Sequence, residues 1–224
     1  MEQKMSLDCY IFTGGQVYAD SLSDLYLKPK VGDLIIAADS GYLTARRLGV
    51  VPDILLGDLD SLDKSRLSKN ELDTLEKIIV PPIKDDTDTQ LAVDTAISRG
   101  ADNIIIVGGL GGRLDHTLSS VFMLEHISKQ GVGCLMTDGK NRIRPMLADG
   151  EHSCSIRLSR GYKYLSLVSI TDKCTGVAVS GVFYPLDVVE LTRSYSYAVS
   201  NEITADCAEI SLTQGTLLVI ESRD

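Results

Sequence analysis

The sequence has no tryptophan and only three phenylalanines and nine tyrosines in 224 residues, so large aromatic anchors are scarce and each one carries information. No apolar run approaches the roughly 20 residues needed to cross a membrane as a helix. The opening, MEQKMSLDCYIF, has no basic stretch leading into the apolar segment that marks a secretory leader, and the expected location is the cytoplasm. There is no CxxC pair. Cys9, Cys134, Cys154, Cys174 and Cys207 are odd in number and widely spaced, which disfavours a disulfide framework or a zinc site and makes most of them small core residues. Basic residues are in the minority, 22 against 31 acidic, and the net charge of −9 excludes a surface built mainly to neutralise nucleic acid. A polyanionic ligand therefore needs local basic groups or a metal.

What is present is an ordinary globular composition, 44% hydrophobic and 24% charged, enough to bury a core in one large domain or two smaller ones. Neither a low-complexity tract nor a repeat of fixed period interrupts it. Over residues 1–140 the branched apolar runs LDCYIF, DLIIAA, DILL, KIIV, NIIIV and VGCLMT alternate with helix-like stretches such as GYLTARRLG, DKSRLSKNELDTLEK and DTQLAVDTAISRG. That alternation predicts an α/β domain with an open, mostly parallel sheet covered on both faces. The stretch HTLSSVFMLEHISKQG predicts a helix with Leu118, Val121, Phe122, Leu124 and Ile127 on its apolar face and Gly131 at its end. Over residues 141–224 the runs HSCSIRL, KYLSLVSI, TGVAVSGV, CAEISL and GTLLVI are short and β-branched with no helical period, which predicts a smaller all-β domain, an antiparallel β-sandwich or barrel.

In an open α/β sheet, ligands bind beyond the carboxyl ends of the strands. The segments that follow the strands are therefore the places to look for chemistry. Asp39-Ser40-Gly41 follows the second run and Gly57-Asp58-Leu59-Asp60-Ser61 the third; KDDTDTQLAVD, residues 84–94, follows Pro81-Pro82; GGLGGRLDH, residues 108–116, follows the fifth. Each has a structural explanation. Asp60 or Ser61 suits a helix cap, Thr87 and Gln90 a capping box with Asp88 in the first turn, and Asp115 a cap after a tight glycine turn. Together, though, Asp58, Asp60, Asp85, Asp86, Asp88 and Asp115 repel unless a cation sits among them, and oxygen-only ligands suit a hard one such as Mg2+. The glycine loop offers backbone N–H groups and Arg113 to a phosphate. It is not a standard nucleotide fingerprint, because position 114 is leucine and no G-K-[ST] follows. His116 is a possible acid, base or phosphate donor as well as an ordinary first-turn histidine; His126 and His152 have no assigned role.

The motifs ADSG at 38–41, GDLDS at 57–61, KDDTDTQLA at 84–92, GGRLDHTL at 111–118, GVFYPL at 181–186 and VSNE at 199–202 resemble, in this order, those of thiamine pyrophosphokinases. The likeness covers nearly the whole chain. It implies transfer of the diphosphate group of ATP to the hydroxyethyl oxygen of thiamine, giving thiamine diphosphate and AMP. It implies that Asp58, Asp60 and Asp88 hold Mg2+, that Asp86 and Asp115 are further acidic groups, and that either Asp88 or Asp115 takes the hydroxyl proton. Arg113, Gly111 and Gly112 then steady the triphosphate, with His116 nearby, while Asp39 and Gly41 line the nucleotide side. The resemblance also implies a homodimer whose thiamine pocket joins the first domain of one chain to the second of the other, with Ser200 and Asn201 at the pyrimidine. Some relatives carry tryptophan where this chain has Phe183-Tyr184, and either ring offers a flat face. The alternatives are a Mg2+-dependent phosphohydrolase and a non-enzymatic nucleotide sensor.

Overall fold

Six runs of the first part become parallel strands: β1 (Asp8–Phe12), β2 (Leu34–Ala38), β3 (Ile54–Gly57), β4 (Glu76–Ile79), β5 (Asn103–Val107) and β6 (Gly133–Thr137). The structure is a computed structural model that describes residues 6–22, 29–57, 75–79, 87–195 and 197–224. Asp58, Asp60, Asp85, Asp86 and most of the DKSRLSKNELDTLEK stretch lie outside the described residues. The chain divides into two compact units, Met1–Met123 with Gln130–Gly139, and Leu124–Lys129 with Lys140–Asp224.

In the first unit the strand order is β6-β5-β1-β2-β3-β4, and every neighbouring pair is parallel. Cys9, Ile11, Ile36, Leu55, Ile104 and Ile106 are fully buried, as strands with both faces covered require. Burial, reinforced by Asp53 and Asp33, pushes the Cys9 thiol up to about 12, so it is inert. The helices α1 (Ala19–Leu22), α2 (Gly41–Arg47), α3 (Asp88–Ser98) and α4 (Leu114–Lys129) follow strands β1, β2, β4 and β5. α3 packs on β1, β2 and β3 through the small residues Ala92, Val93 and Ala96. Because the chain runs outward from β1 in one direction through β4 and then restarts at β5 on the other side, β1 and β5 flank a topological switch point.

The apolar face expected for α4 is corrected. Ser120, Met123, Leu124 and Ile127 are buried, whereas Leu118 and Phe122 are 46% and 53% exposed. Two apolar stripes run along this helix, and periodicity alone merges them. Gly131 takes the left-handed conformation, φ 77°, just past its end.

The second unit is antiparallel, with β7 (Asn141–Ser159), β8 (Tyr164–Ser169), β9 (Lys173–Ser180), β10 (Leu186–Thr192) and β11 (Cys207–Ser222). CAEISL and GTLLVI are not two strands but one. β11 pairs with β7 along its length, with β9 over its first half and with β8 over its second. Alternate residues Ala208, Ile210 and Leu212, then Leu217 and Val219, enter the core of this unit; a leucine so buried contributes about 1.5–3 kcal/mol. β7 is longer than its HSCSIRL segment suggests, and β10 is an additional strand.

Candidate active site

Beyond the carboxyl ends of β1, β2 and β5 lies a cavity of about 450 Å3. Its walls are Thr13-Gly14-Gly15, Asp39 and Ser40, Thr87-Asp88-Thr89, the glycines Gly108, Gly109, Gly111 and Gly112, Arg113, and His116 and Ser120 of α4. Of the residues expected from sequence, Asp39, Asp88, Gly111, Gly112, Arg113 and His116 meet here. Gly41 and Asp115 are not among the lining residues. Thr13-Gly14-Gly15 is an addition to the expected set, although it follows an apolar strand just as the other loops do; only the strand order shows that it flanks the switch point.

The loops are held together by glycines without room for a side chain. A Cβ on Gly15 would stand 1.7 Å from the Gly108 carbonyl oxygen, one on Gly14 2.2 Å from Ser40 Oγ, and one on Gly41 2.0 Å from the Phe12 carbonyl oxygen. Gly41 therefore spaces α2 from β1. Asp39 has φ 46°, a conformation aspartate tolerates better than most residues, and its N–H donates to the Leu56 carbonyl at 2.9 Å.

Thr87 caps α3, its hydroxyl accepting the Gln90 N–H at 3.2 Å. The reciprocal half of the capping box is replaced, because Gln90 Nε2 donates to Asp94 at 2.9 Å. The cap fixes the turn that carries Asp88. Asp88 and the Thr87 and Thr89 hydroxyls present oxygen donors, the set that suits a hard cation. Among the described residues, no three His, Cys, Asp or Glu side chains gather into a metal site on their own.

Arg113 is bound to Asp115, Nε to Oδ1 at 3.2 Å and a terminal nitrogen to Oδ2 at 2.6 Å. Asp115 also accepts the His116 N–H at 2.9 Å. The Arg113 hydrogen bond, followed by that from His116, holds the Asp115 carboxyl below its usual range.

The second unit has its own surface. Tyr184, Leu186, Tyr197, Ala198, Val199 and Asn201 line a hollow of about 330 Å3. Phe183 and Tyr184 are 63% and 66% exposed and meet edge to face at 4.7 Å. Asn201 fixes this turn: its Oδ1 accepts the Tyr184 N–H at 3.0 Å and its Nδ2 donates to the Tyr184 carbonyl at 2.7 Å. Ser200, at φ 57°, donates its N–H to Ser166 Oγ at 2.9 Å and is not among the residues lining the hollow.

A glycine loop, an arginine and oxygen donors at the switch point of a parallel sheet define a phosphate-handling α/β protein. Residues 29–136 match the family model described as thiamin pyrophosphokinase, catalytic domain, and residues 151–217 match thiamin pyrophosphokinase, vitamin B1 binding domain. The chain belongs to the thiamin pyrophosphokinase family. It is 29% identical over 191 residues to a thiamine pyrophosphokinase of Bacillus subtilis (strain 168), covering 85% of this chain and 88% of that one. A crystal structure of thiamine pyrophosphokinase from Bacillus subtilis superposes with a TM-score of 0.81 at 26% identity, over 97% of this chain and 99% of the other. One of a thiamin pyrophosphokinase family protein from Enterococcus faecalis gives 0.78 at 26% identity, over 98% and 100%.

Proposed function

We propose that this chain transfers the diphosphate group of ATP to the hydroxyethyl oxygen of thiamine, yielding thiamine diphosphate and AMP. The carrying observation is the cavity at the switch point, where glycine backbone, Arg113 and Asp88 converge in a chain matching both parts of the family. Gly111, Gly112 and Arg113 hold the triphosphate, with His116 beside them, while Asp39 lines the nucleotide side and Gly41 keeps its loop in place. Asp58, Asp60 and Asp88 would hold Mg2+, with Asp86 as a further acidic group. Bound there, the ion supplies charge neutralisation to the phosphates.

The alcohol attacks the β-phosphorus in line, and most of the rate comes from placement and charge compensation. Its proton goes to Asp88 or Asp115. The Arg113 hydrogen bond holds the Asp115 carboxyl below its usual range, and Asp115 becomes available once Arg113 turns to phosphate. In the antiparallel unit, proposed as the thiamine-binding and dimerisation sandwich over residues 141–224, Tyr184 or Phe183 offers the thiamine ring a flat face. Asn201 and Ser200 shape that turn beside the pyrimidine. A homodimer with a shared site brings such a unit to the catalytic domain, residues 1–140, of the other chain. Five free cysteines suit the reducing cytoplasm, and among the described residues no helix is long and apolar enough to cross a membrane.

The test is product formation from ATP and Mg2+, with and without thiamine and with EDTA. Equal AMP and thiamine diphosphate, dependent on thiamine and lost with the chelator, are expected. Phosphate or diphosphate release without thiamine would indicate a hydrolase instead. Asp88→Asn should lower kcat by about a hundredfold to a thousandfold with an unchanged melting midpoint.

A further inference from the structure

One end of the antiparallel unit's core is charged. Glu221, fully buried, stands opposite Arg142 in the β7–β11 register. It accepts from Arg142 Nε at 2.7 Å and from an Arg142 terminal nitrogen at 2.5 Å. A further bond comes from Arg144 at 3.1 Å. Arg223, next but one to Glu221, has its guanidinium carbon 4.3 Å from the centre of the Tyr162 ring, and that of Arg142 lies 4.9 Å from the same ring. Two guanidiniums thus share one carboxylate and a third lies over the adjoining tyrosine, in a chain whose net charge is strongly negative.

The donors are not used up. Arg144 Nε, Arg223 Nε and the Tyr162 hydroxyl are buried with no hydrogen-bond acceptor among the described residues, and Tyr162 is only 6% exposed. Each such donor has lost its water without a replacement. Burial is the main influence on Arg144, lowering its pKa against the pull of Glu221. A compact anion with several oxygens answers both the excess charge and the idle donors. The side chains of Arg142 and Arg144 keep 12% and 23% of their surface exposed, so the cluster borders solvent.

We propose that Arg144, Arg223 and Tyr162 form a binding site for a small oxyanion, with Glu221 holding Arg142 and Arg144 in place. None of these residues belongs to the cavity of the parallel unit. Inorganic phosphate is the probe, since its oxygens accept from guanidinium N–H groups and from a phenol alike.

Thermal unfolding of the full chain in rising phosphate, against chloride at matched ionic strength, reads binding through linkage. The catalytic cavity also offers donors to phosphate, so Arg113→Ala is run beside Tyr162→Phe, which removes one hydroxyl and keeps the ring. The midpoint should rise equally in the parent and in Arg113→Ala. The phosphate Kd should weaken about tenfold in Tyr162→Phe, the scale of one hydrogen bond to a charged group, and further in Arg223→Gln. Absence of a phosphate-specific rise in the parent overturns the proposal. So does a rise unchanged in Tyr162→Phe, or one lost in Arg113→Ala, which would place the anion in the cavity.

Discussion

The two units build their ligand-facing surfaces from different materials. In the parallel unit the walls are largely backbone, and the loops after β1, β2 and β5 approach so closely that glycine is the residue that fits at Gly14, Gly15 and Gly41. In the antiparallel unit the backbone is committed to ladders on β11, and side chains do the arranging: Asn201 pins Tyr184 and Glu221 gathers two arginines. Space is the limiting resource in one unit and polar pairing in the other. Substitutions that add volume should therefore injure the first, and those that delete a polar partner should injure the second.

Glu221→Ala should show the largest effect. It leaves the Arg142 and Arg144 guanidiniums without their carboxylate, and removing one member of a buried ion pair destabilises by about 3–5 kcal/mol. Urea unfolding should give a lower midpoint with an unchanged slope. A loss below about 1 kcal/mol would mean that water already screens this cluster, and the contrast between the units would weaken.

Next comes a paired glycine test. Alanine at Gly15 meets the Gly108 carbonyl at 1.7 Å, so Gly15→Ala should destabilise by about 1–3 kcal/mol through overpacking and raise the KM for ATP by pushing two cavity loops apart. Gly150, in the antiparallel unit, has φ 95° but no atom nearer than 3.7 Å to an added Cβ. Gly150→Ala should cost about 1–2 kcal/mol of backbone strain and leave KM for ATP unchanged. Equal effects on KM would show that clearance at Gly15 does not set the site.

Much of this was legible in the sequence because it depends on local pattern. Continuous branched runs mark β1 to β6, and the Thr87–Gln90 spacing announces the cap that carries Asp88. The glycine run with Arg113 is visible as a tight loop between strand and helix before any fold is known, and it lines the cavity. What escapes depends on contacts between distant segments. Thr13-Gly14-Gly15 becomes a cavity wall only because β5 returns to the far side of β1, and no residue near position 13 encodes that order. The exposed Leu118 and Phe122 share a helix period with buried neighbours. Gly215, at φ 105°, reads as a strand break but lies inside β11, where its pairing with Ala148 of β7 and that of its neighbours override its turn preference.

The smallest predicted effect separates a structural carboxylate from a functional one. Asp149 is held down to about 2 from an ordinary 3.8, chiefly by the His152 N–H, then by the His152 ring and the Glu151 N–H. With its folded pKa depressed, its contribution to stability is present above about pH 4 and is lost as pH falls through about 2. The difference in stability between the parent and Asp149→Asn should vanish over that window. Asp115 is also depressed, but mainly by Arg113, a side chain assigned to phosphate. Carboxyl-carbon NMR titration with and without ATP should therefore leave Asp149 in place and move Asp115 upward, because the nucleotide withdraws Arg113 and adds negative charge. Were Asp115 indifferent to ATP, Arg113 would be a structural partner of the turn, and the parallel unit would have to hold its phosphates by backbone alone.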